Sequence, residues 1–209
     1  MDATMFRAWI SEAAKLVVDN ASHLTDLDSA IGDADHGTNL RRGFEAAVVM
    51  LEQDNPGTPG AVLSTVGRAL ISKTGGASGP LYGTGFRQAG KSLGEDVDVT
   101  AAQLGEALRA ALAGIQQLGA ASEGDKTMVD ALTPAVSAYQ AVIDTGGDLA
   151  VATRAAADAA ARGLQGTIPL QARKGRASYL GPRTVGHEDP GAASTTLILE
   201  ALATVTAGS

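Results

Sequence analysis

Asp28, Asp33, Asp35 and His36, set among Gly32, Gly37, Thr38 and Asn39, place three carboxylates, an imidazole and two glycines within twelve residues. Carboxylates this close repel one another, and a hard divalent cation is the commonest partner that makes such a cluster tolerable. Gly37, Thr38 and Asn39 open a helical pattern and can offer backbone N–H groups and small polar side chains to an anion such as phosphate. Each aspartate alone reads as a helix cap or turn residue. Together, beside His-Gly-Thr-Asn, they point to a metal, and a site of carboxylates without thiols suits magnesium. An EF-hand does not fit, because counting from Asp33 the fifth position is Gly37 and the twelfth is Phe44, where a bidentate Glu is needed. His36 can touch a phosphate, orient a metal ligand or cap the next helix. His23 has no such company and reads as a surface or packing residue, and His187 precedes Glu188-Asp189-Pro190 at a helix entry.

Three further segments carry candidate chemistry. Gly75-Gly76-Ala77-Ser78-Gly79-Pro80 leads into a helix and could wrap a phosphate with its amides, Ser78 adding a hydroxyl; a plain helix–helix turn is the other reading. Arg173, Lys174 and Arg176 stand out in an acidic chain, and the glycines around them would let a loop fold over a ligand, with Arg176 the preferred phosphate contact. Gly85 to Ser92 formally matches the Walker A pattern. It lies inside a helical pattern with no strand before it, so the P-loop mechanism is absent and Lys91 reads as a solvated helix-end cation.

The elements that must position these residues are helical. Aromatics are 3% of the chain while Ala and Leu recur, a composition suited to close-packed helices. Phe6, Trp9, Ile10, Ala13 and Val17 mark one face of a first helix capped by Thr4. Thr58-Pro59 opens a helix toward Leu70 that Gly75-Gly76 stops, and Thr100 with Gln103 forms a capping box ahead of a stripe of Leu104, Leu108, Ala111, Ile115 and Leu118. Further helices fit about 38–53, 80–93, 128–144, 148–166 and 191–206, giving eight, with no convincing strand. Pro134 is tolerable near a first turn or as a kink, and the alanine-rich run from Ala155 to Ala161 reads as close helix packing. The irregular stretch from Gly166 to Pro190 is long enough to be functional. In an antiparallel bundle alternate junctions share an end, so the segments 28–39, 119–127 and 174–191 are free to meet at one rim.

The 209 residues read as one domain spanning 1–209. A formal net charge of -7 argues against sequence-independent binding to nucleic acid or to an anionic membrane surface. No cysteine is present, which excludes disulfides, thiolate metal sites and cysteine nucleophiles. The chain shows neither a signal-peptide pattern nor a membrane-length apolar run, and a cytoplasmic location is the simplest expectation.

Leu27-Asp28 through Gly32-Asp33-Ala34-Asp35-His36-Gly37, Gly76-Ala77-Ser78-Gly79, Gly124-Asp125-Lys126-Thr127-Met128-Val129-Asp130-Ala131-Leu132, and Gly175-Arg176-Ala177-Ser178-Tyr179 with Asp189-Pro190-Gly191-Ala192 together resemble the nucleotide-binding L subunit of dihydroxyacetone kinase. The resemblance spans nearly the whole chain, in order. It implies an all-α fold, a barrel of eight antiparallel helices with ADP or ATP and two magnesium ions (Mg2+) at one end. It implies that Asp28, Asp33 and Asp35 hold the metals and that His36, Gly37, Thr38, Asn39, Ala77 and Ser78 surround the phosphates. Gly119, Thr127, Met128, Arg176, Asp189 and Gly191 would line the rest of the nucleotide, Gly119 on the weakest motif, and Arg176 could assist the transfer.

The resemblance also implies partners. Nothing here resembles the K subunit, which in this family holds dihydroxyacetone as a hemiaminal on a histidine. In phosphotransferase-system assemblies ADP stays on the L subunit and is rephosphorylated by a phosphohistidine M subunit; in ATP-dependent relatives the nucleotide exchanges with solution. The free-standing chain favours the first mode. A nucleotide-loaded module docking on a regulator, a four-carbon ketose such as erythrulose as substrate, and a homodimer remain open alternatives.

Overall fold

The computed structural model describes residues 1–208; Ser209, the last residue of the expected domain, lies outside them. The described residues form α1 (Ala3–Asp19), α2 (Ala21–Ile31), α3 (His36–Asp54), α4 (Pro59–Lys73), α5 (Ser78–Leu93), α6 (Ala101–Gly119), α7 (Val129–Asp144), α8 (Leu149–Gly166) and α9 (Pro190–Thr206), with a 3-10 segment at Arg176–Thr184 and no strand among them. Each of the eight expected helices is present. The ninth, α2, follows α1 after the single residue Asn20, so no turn signal separates the two in sequence. No helix of the described residues is long and apolar enough to cross a membrane.

Several helix starts follow from cap chemistry. Thr58 Oγ1 accepts from Ala61 N with Pro59 in the first turn, and Thr100 and Gln103 exchange both capping-box hydrogen bonds. The cap of α1 is Asp2, not Thr4: the Asp2 carboxylate accepts from Met5 N at 2.9 Å. Leu104, Leu108 and Ile115 are buried as the α6 stripe requires, whereas Leu118 is 52% exposed because α6 ends there at the mouth of a cavity.

Packing runs from α1 to α3, α4, α5, α6, α7, α8 and α9 in turn, and α9 returns onto α1; α2 lies across one end against α3 and α9. The closure on α1 is fixed by Trp9, whose Nε1 donates to Ile198 O at 2.9 Å and whose ring lies 5.9 Å from Phe86. Alanines Ala152, Ala156, Ala157 and Ala160 of α8 are buried, so the alanine run is indeed a close-packing face. Pro134 lies inside α7, where it removes the amide that would bond the Asp130 carbonyl.

Helices α4 and α5 approach until backbone meets backbone. A Cβ on Gly60 would lie 2.2 Å from Gly94 O, and one on Gly83 would lie 2.4 Å from Ile71 Cγ1 and 2.8 Å from Gly67 O. This contact runs against helix propensity, which favours Ala over Gly by about 1 kcal/mol. Gly83→Ala is therefore expected to lower stability by about 1–3 kcal/mol through overpacking, while Gly166→Ala, facing open space, should be neutral or stabilising. Urea midpoints of the two variants check this; equal midpoints would contradict the close approach.

Candidate functional site

Asp28 sits in the last turn of α2 and is buried. Its Oδ2 accepts from Asp35 N at 2.8 Å and from His36 N at 3.1 Å, folding the 32–35 loop back over the carboxylate and ending it as the first turn of α3. Two glycines make that possible. A Cβ on Gly32 would lie 1.9 Å from Asp28 Oδ1, and one on Gly37 would lie 1.9 Å from Ala21 O, so α3 could not seat against α2 with any other residue there. Ala34 completes the loop at φ 61, in the left-handed region where a Cβ is strained. The result brings one ligand oxygen each of Asp28, Asp33 and Asp35 within 4.8 Å of one another. Arg176 Nε lies 3.0 Å from Asp33 Oδ2, the one ion pair made by the cluster among the described residues.

His36 is joined to the far side of the bundle. Its Nε2 is 2.9 Å from Ser194 Oγ, which is 2.6 Å from the Tyr82 hydroxyl; that hydroxyl lies 2.8 Å from Thr195 Oγ1 and 3.0 Å from Gly191 O. These bonds tie the start of α3 to α5 and α9. Burial pulls the His36 imidazole below its ordinary value, against the opposing pull of Asp28 and Asp35. The Tyr82 hydroxyl is pushed up by burial, so it serves as a neutral hydrogen-bonding group.

The start of α5 is shaped from below. Gly76 has φ 65, and a Cβ on Gly75 would lie 2.6 Å from Asn39 Oδ1, which itself accepts from Arg42 Nη2 at 2.9 Å. Asn39 thus braces the Gly75-Gly76 turn. Ser78 Oγ donates to Gly75 O at 3.2 Å within the same turn.

The stretch between α8 and α9 is pinned by Lys126, which is 1% exposed. Its ammonium donates to Thr167 O at 2.7 Å and to His187 O, holding both ends of the strap that carries the 3-10 segment. Asp130, in the first turn of α7, accepts from Gly124 N and from Thr127 N at 2.8 Å and so braces the loop before that helix, and Asp189 caps α9 by accepting from Ala192 N at 2.7 Å. The cap residues of α3, α5 and α7 (Asp35, Ala77 and Met128) make no side-chain cap bond of their own; at α3 the Asp35 and His36 amides go to Asp28 instead, whereas at α5 the first-turn N–H groups are left to the solvent or to a ligand.

All these junctions line one cavity of about 670 Å³. Of the residues singled out from sequence, Asp28, Asp33, Asp35, His36, Ala77, Ser78, Gly119, Thr127, Met128, Arg176, Asp189 and Gly191 line it. Gly37, Thr38 and Asn39 do not: Gly37 is buried against α2, Thr38 is exposed elsewhere, and Asn39 lies under the Gly75 turn. The Gly75 to Gly85 junction joins the three that helix parity allowed at this rim. The lining combines the carboxylates of Asp28, Asp33 and Asp35 with the apolar side chains of Leu81, Ile115, Leu118, Met128 and Val129. Ionic and apolar lining together suit a ligand that carries both phosphates and a flat apolar body. Sequence reasoning missed the roles of Lys126, Tyr82 and Ser194. A lysine one residue after Asp125 and four before Asp130 signals a paired cation, but nothing local marks it as buried.

A family model described as the DAK2 domain matches residues 30–204. The chain belongs to the DAK2 domain family. It is 38% identical over 203 residues to the PEP-dependent dihydroxyacetone kinase, ADP-binding subunit DhaL, of Escherichia coli (strain K12), covering 97% of each chain. It is 37% identical over 199 residues to the PTS-dependent dihydroxyacetone kinase, ADP-binding subunit DhaL, of Lactococcus lactis, covering 95% of each. The crystal structure of the dihydroxyacetone kinase from C. freundii in complex with AMP-PNP and Mg2+ superposes with a TM-score of 0.75 at 26% identity; 98% of this chain is covered, but only 34% of that one. In this DAK2 domain the match begins two residues after Asp28, so Asp33, Asp35 and His36 lie within it.

Asp189 gives the DAK2 domain a pH dependence. Burial, reinforced by Asp130, pushes its carboxyl up to about 7, against the Ala192 amide and Lys126. The folded state therefore keeps a proton that the unfolded chain releases near pH 4. This contribution to stability is complete below about pH 4, declines as pH rises to about 7 and is flat beyond it. The urea midpoint of nucleotide-free protein should fall from pH 5 to pH 8 more steeply for wild type than for Asp189→Asn, whose amide keeps a capping oxygen without titrating; parallel slopes would contradict the assignment.

Proposed function

We propose that this chain is the ADP-binding subunit of a dihydroxyacetone kinase, a phosphotransferase component active only with its K subunit. The observation that carries the reading is the pairing, in one cavity, of three clustered carboxylates with the start of α5, whose cap residue Ala77 offers no side-chain hydrogen bond to the first-turn amides. Near end-to-end similarity to subunits named for that role supports it.

On this reading Asp28, Asp33 and Asp35 hold two magnesium ions, which when bound neutralise phosphate charge and hold the phosphates in line for transfer. The uncapped amides at Ala77-Ser78 receive phosphate oxygens beside His36, where the helix dipole favours negative charge. Gly37, Thr38 and Asn39 act from behind, seating α3 and bracing the Gly75-Gly76 turn. Arg176, already against Asp33, faces the transferred group and offsets its charge. The base lies in the slot of Leu81, Leu118 and Met128, with Gly119, Thr127, Asp189 and Gly191 completing the wall. The eight helices other than α2 form the antiparallel barrel, a single domain over 1–209, with the site at one end.

The phosphoryl donor in this reading is a phosphohistidine M subunit of the phosphotransferase system, acting in the cytoplasm, and the acceptor is dihydroxyacetone on the K subunit. An ATP-exchanging kinase for dihydroxyacetone or a four-carbon ketose, and a nucleotide-loaded module for a regulator, use the same site and differ in how tightly the nucleotide is held. Chromatography of the nucleotide released on denaturing freshly purified protein, with magnesium measured in parallel, separates them. ADP retained through dialysis at about one per chain is the expected result, as slow dissociation requires; an empty protein binding ATP reversibly favours exchange, and one binding neither overturns the reading. Asp33→Ala should lose the retained nucleotide while keeping its helical circular dichroism, and Lys91→Ala should keep both.

A further inference from the structure

Behind the cavity wall, Tyr82 of α5 and Ser194 and Thr195 of α9 bring three hydroxyls together, all of them buried. None of the three residues lines the cavity; they reach it through His36 and Gly191, which do. The protons of Tyr82 and Ser194 are fully used inside this cluster. One lies between the two oxygens, 2.6 Å apart, and the other goes to Gly191 O, which Tyr82 reaches at 3.0 Å and Ser194 at 3.1 Å. Neither remains for the imidazole, so His36 Nε2 is the donor to Ser194 Oγ at 2.9 Å, while Thr195 Oγ1 donates to the phenol oxygen at 2.8 Å. The ring is thereby held in one tautomer and one orientation.

Packing does not account for the phenol. Phenylalanine fills the same volume with no hydroxyl to desolvate. What the hydroxyl adds is a link between helix starts: His36 opens α3, Tyr82 lies one turn after Ser78 on α5, and Ser194 lies one turn after Pro190 on α9. The chain of bonds joins the helix that begins at the carboxylate cluster, the helix whose first amides are open, and the helix that brings Asp189 and Gly191 into the cavity wall. A cation at the carboxylates and a phosphate at the α5 amides keep their separation only as well as these starts keep theirs, and a misplacement of about 1 Å costs roughly a hundredfold in rate.

We infer that Tyr82 and Ser194 are positioning residues for phosphoryl transfer, acting through His36 to hold the carboxylate-bearing start of α3 in register with the open amides of α5. The inference rests on the proposed function. It adds two residues that touch neither nucleotide nor metal, and it makes the buried hydroxyl cluster part of the site's alignment.

The test uses the full chain with bound nucleotide and its cognate triose-carrying subunit. Tyr82→Phe keeps the ring and removes only the hydroxyl; it should lower kcat about tenfold, short of the roughly hundredfold loss of a 1 Å displacement, leave the KM for that subunit unchanged, and speed ADP release by a similar factor. Ser194→Ala should do the same, and keeps the test open should Tyr82→Phe not fold. In a His36→Ala background, Tyr82→Phe should cost little more, because residues acting through one another are not additive. Unchanged kcat and ADP release in the folded variants, with only the urea midpoint lowered, reduces the cluster to packing and overturns the inference. So does full additivity with His36→Ala, or a change confined to the KM. Wild-type chain that holds nucleotide yet transfers nothing defeats the proposed function instead, and the ADP release rates of the same variants then decide whether the cluster aligns the site.

Discussion

The Asp28 carboxylate, held by the amides of Asp35 and His36, is the contact on which the rim is built. A carboxylate at the first amides of a helix is favoured by the helix dipole, so the buried member of the carboxylate cluster also starts α3. Closing the 28–36 loop around it puts Asp33 and Asp35 beside Asp28, and the same step aims His36 at Ser194 and, through Tyr82, locks α3 to α5 and α9. Gly32 and Gly37 follow from that contact, because one clears the Asp28 carboxylate and the other clears the Ala21 carbonyl.

The opposite side of the cavity is balanced differently. Asp130 spends its oxygens on amides of the loop before α7 and Asp189 on an amide that opens α9, and Lys126 near both offsets their charge while holding Thr167 O and His187 O. Burying an ammonium there is tolerable because its hydrogen bonds and two nearby carboxylates compensate the lost hydration. One side of the rim is therefore satisfied by the protein itself. The other keeps the open amides of α5 next to a carboxylate cluster whose one ion pair among the described residues is Asp33–Arg176, an arrangement that a cation and an anion together complete and that neither completes alone.

The helices and the carboxylate cluster were legible because both depend on local chemistry. Thr58-Pro59, the Thr100/Gln103 pair and the three aspartates carry their roles in residue type and spacing. What escaped depends on contacts between distant segments. The α1–α2 break has no glycine or proline to mark it, and Asp2 displaced Thr4 as cap because both precede the same apolar pattern. Asn39 reads as a phosphate contact from its place after Gly37 and Thr38, yet in three dimensions it supports a turn that begins at Gly75. Lys126 bonds to residues 41 and 61 positions away, which no periodicity reveals.

The apparent Walker A match shows the same division at work. Gly85 faces Ile115, with a built Cβ 2.9 Å from its Cδ1, and Gly90 faces Gly60 O at 2.6 Å, while Lys91 is exposed. Those glycines are present because α5 is squeezed between α4 and α6, and their spacing reflects the helix repeat of the contacts. The same squeeze brings the start of α5 to the rim with Gly75 and Gly76 beneath it. A glycine-rich helix can thus leave open amides at its first turn while the glycines that resemble a phosphate loop, further along, serve only packing.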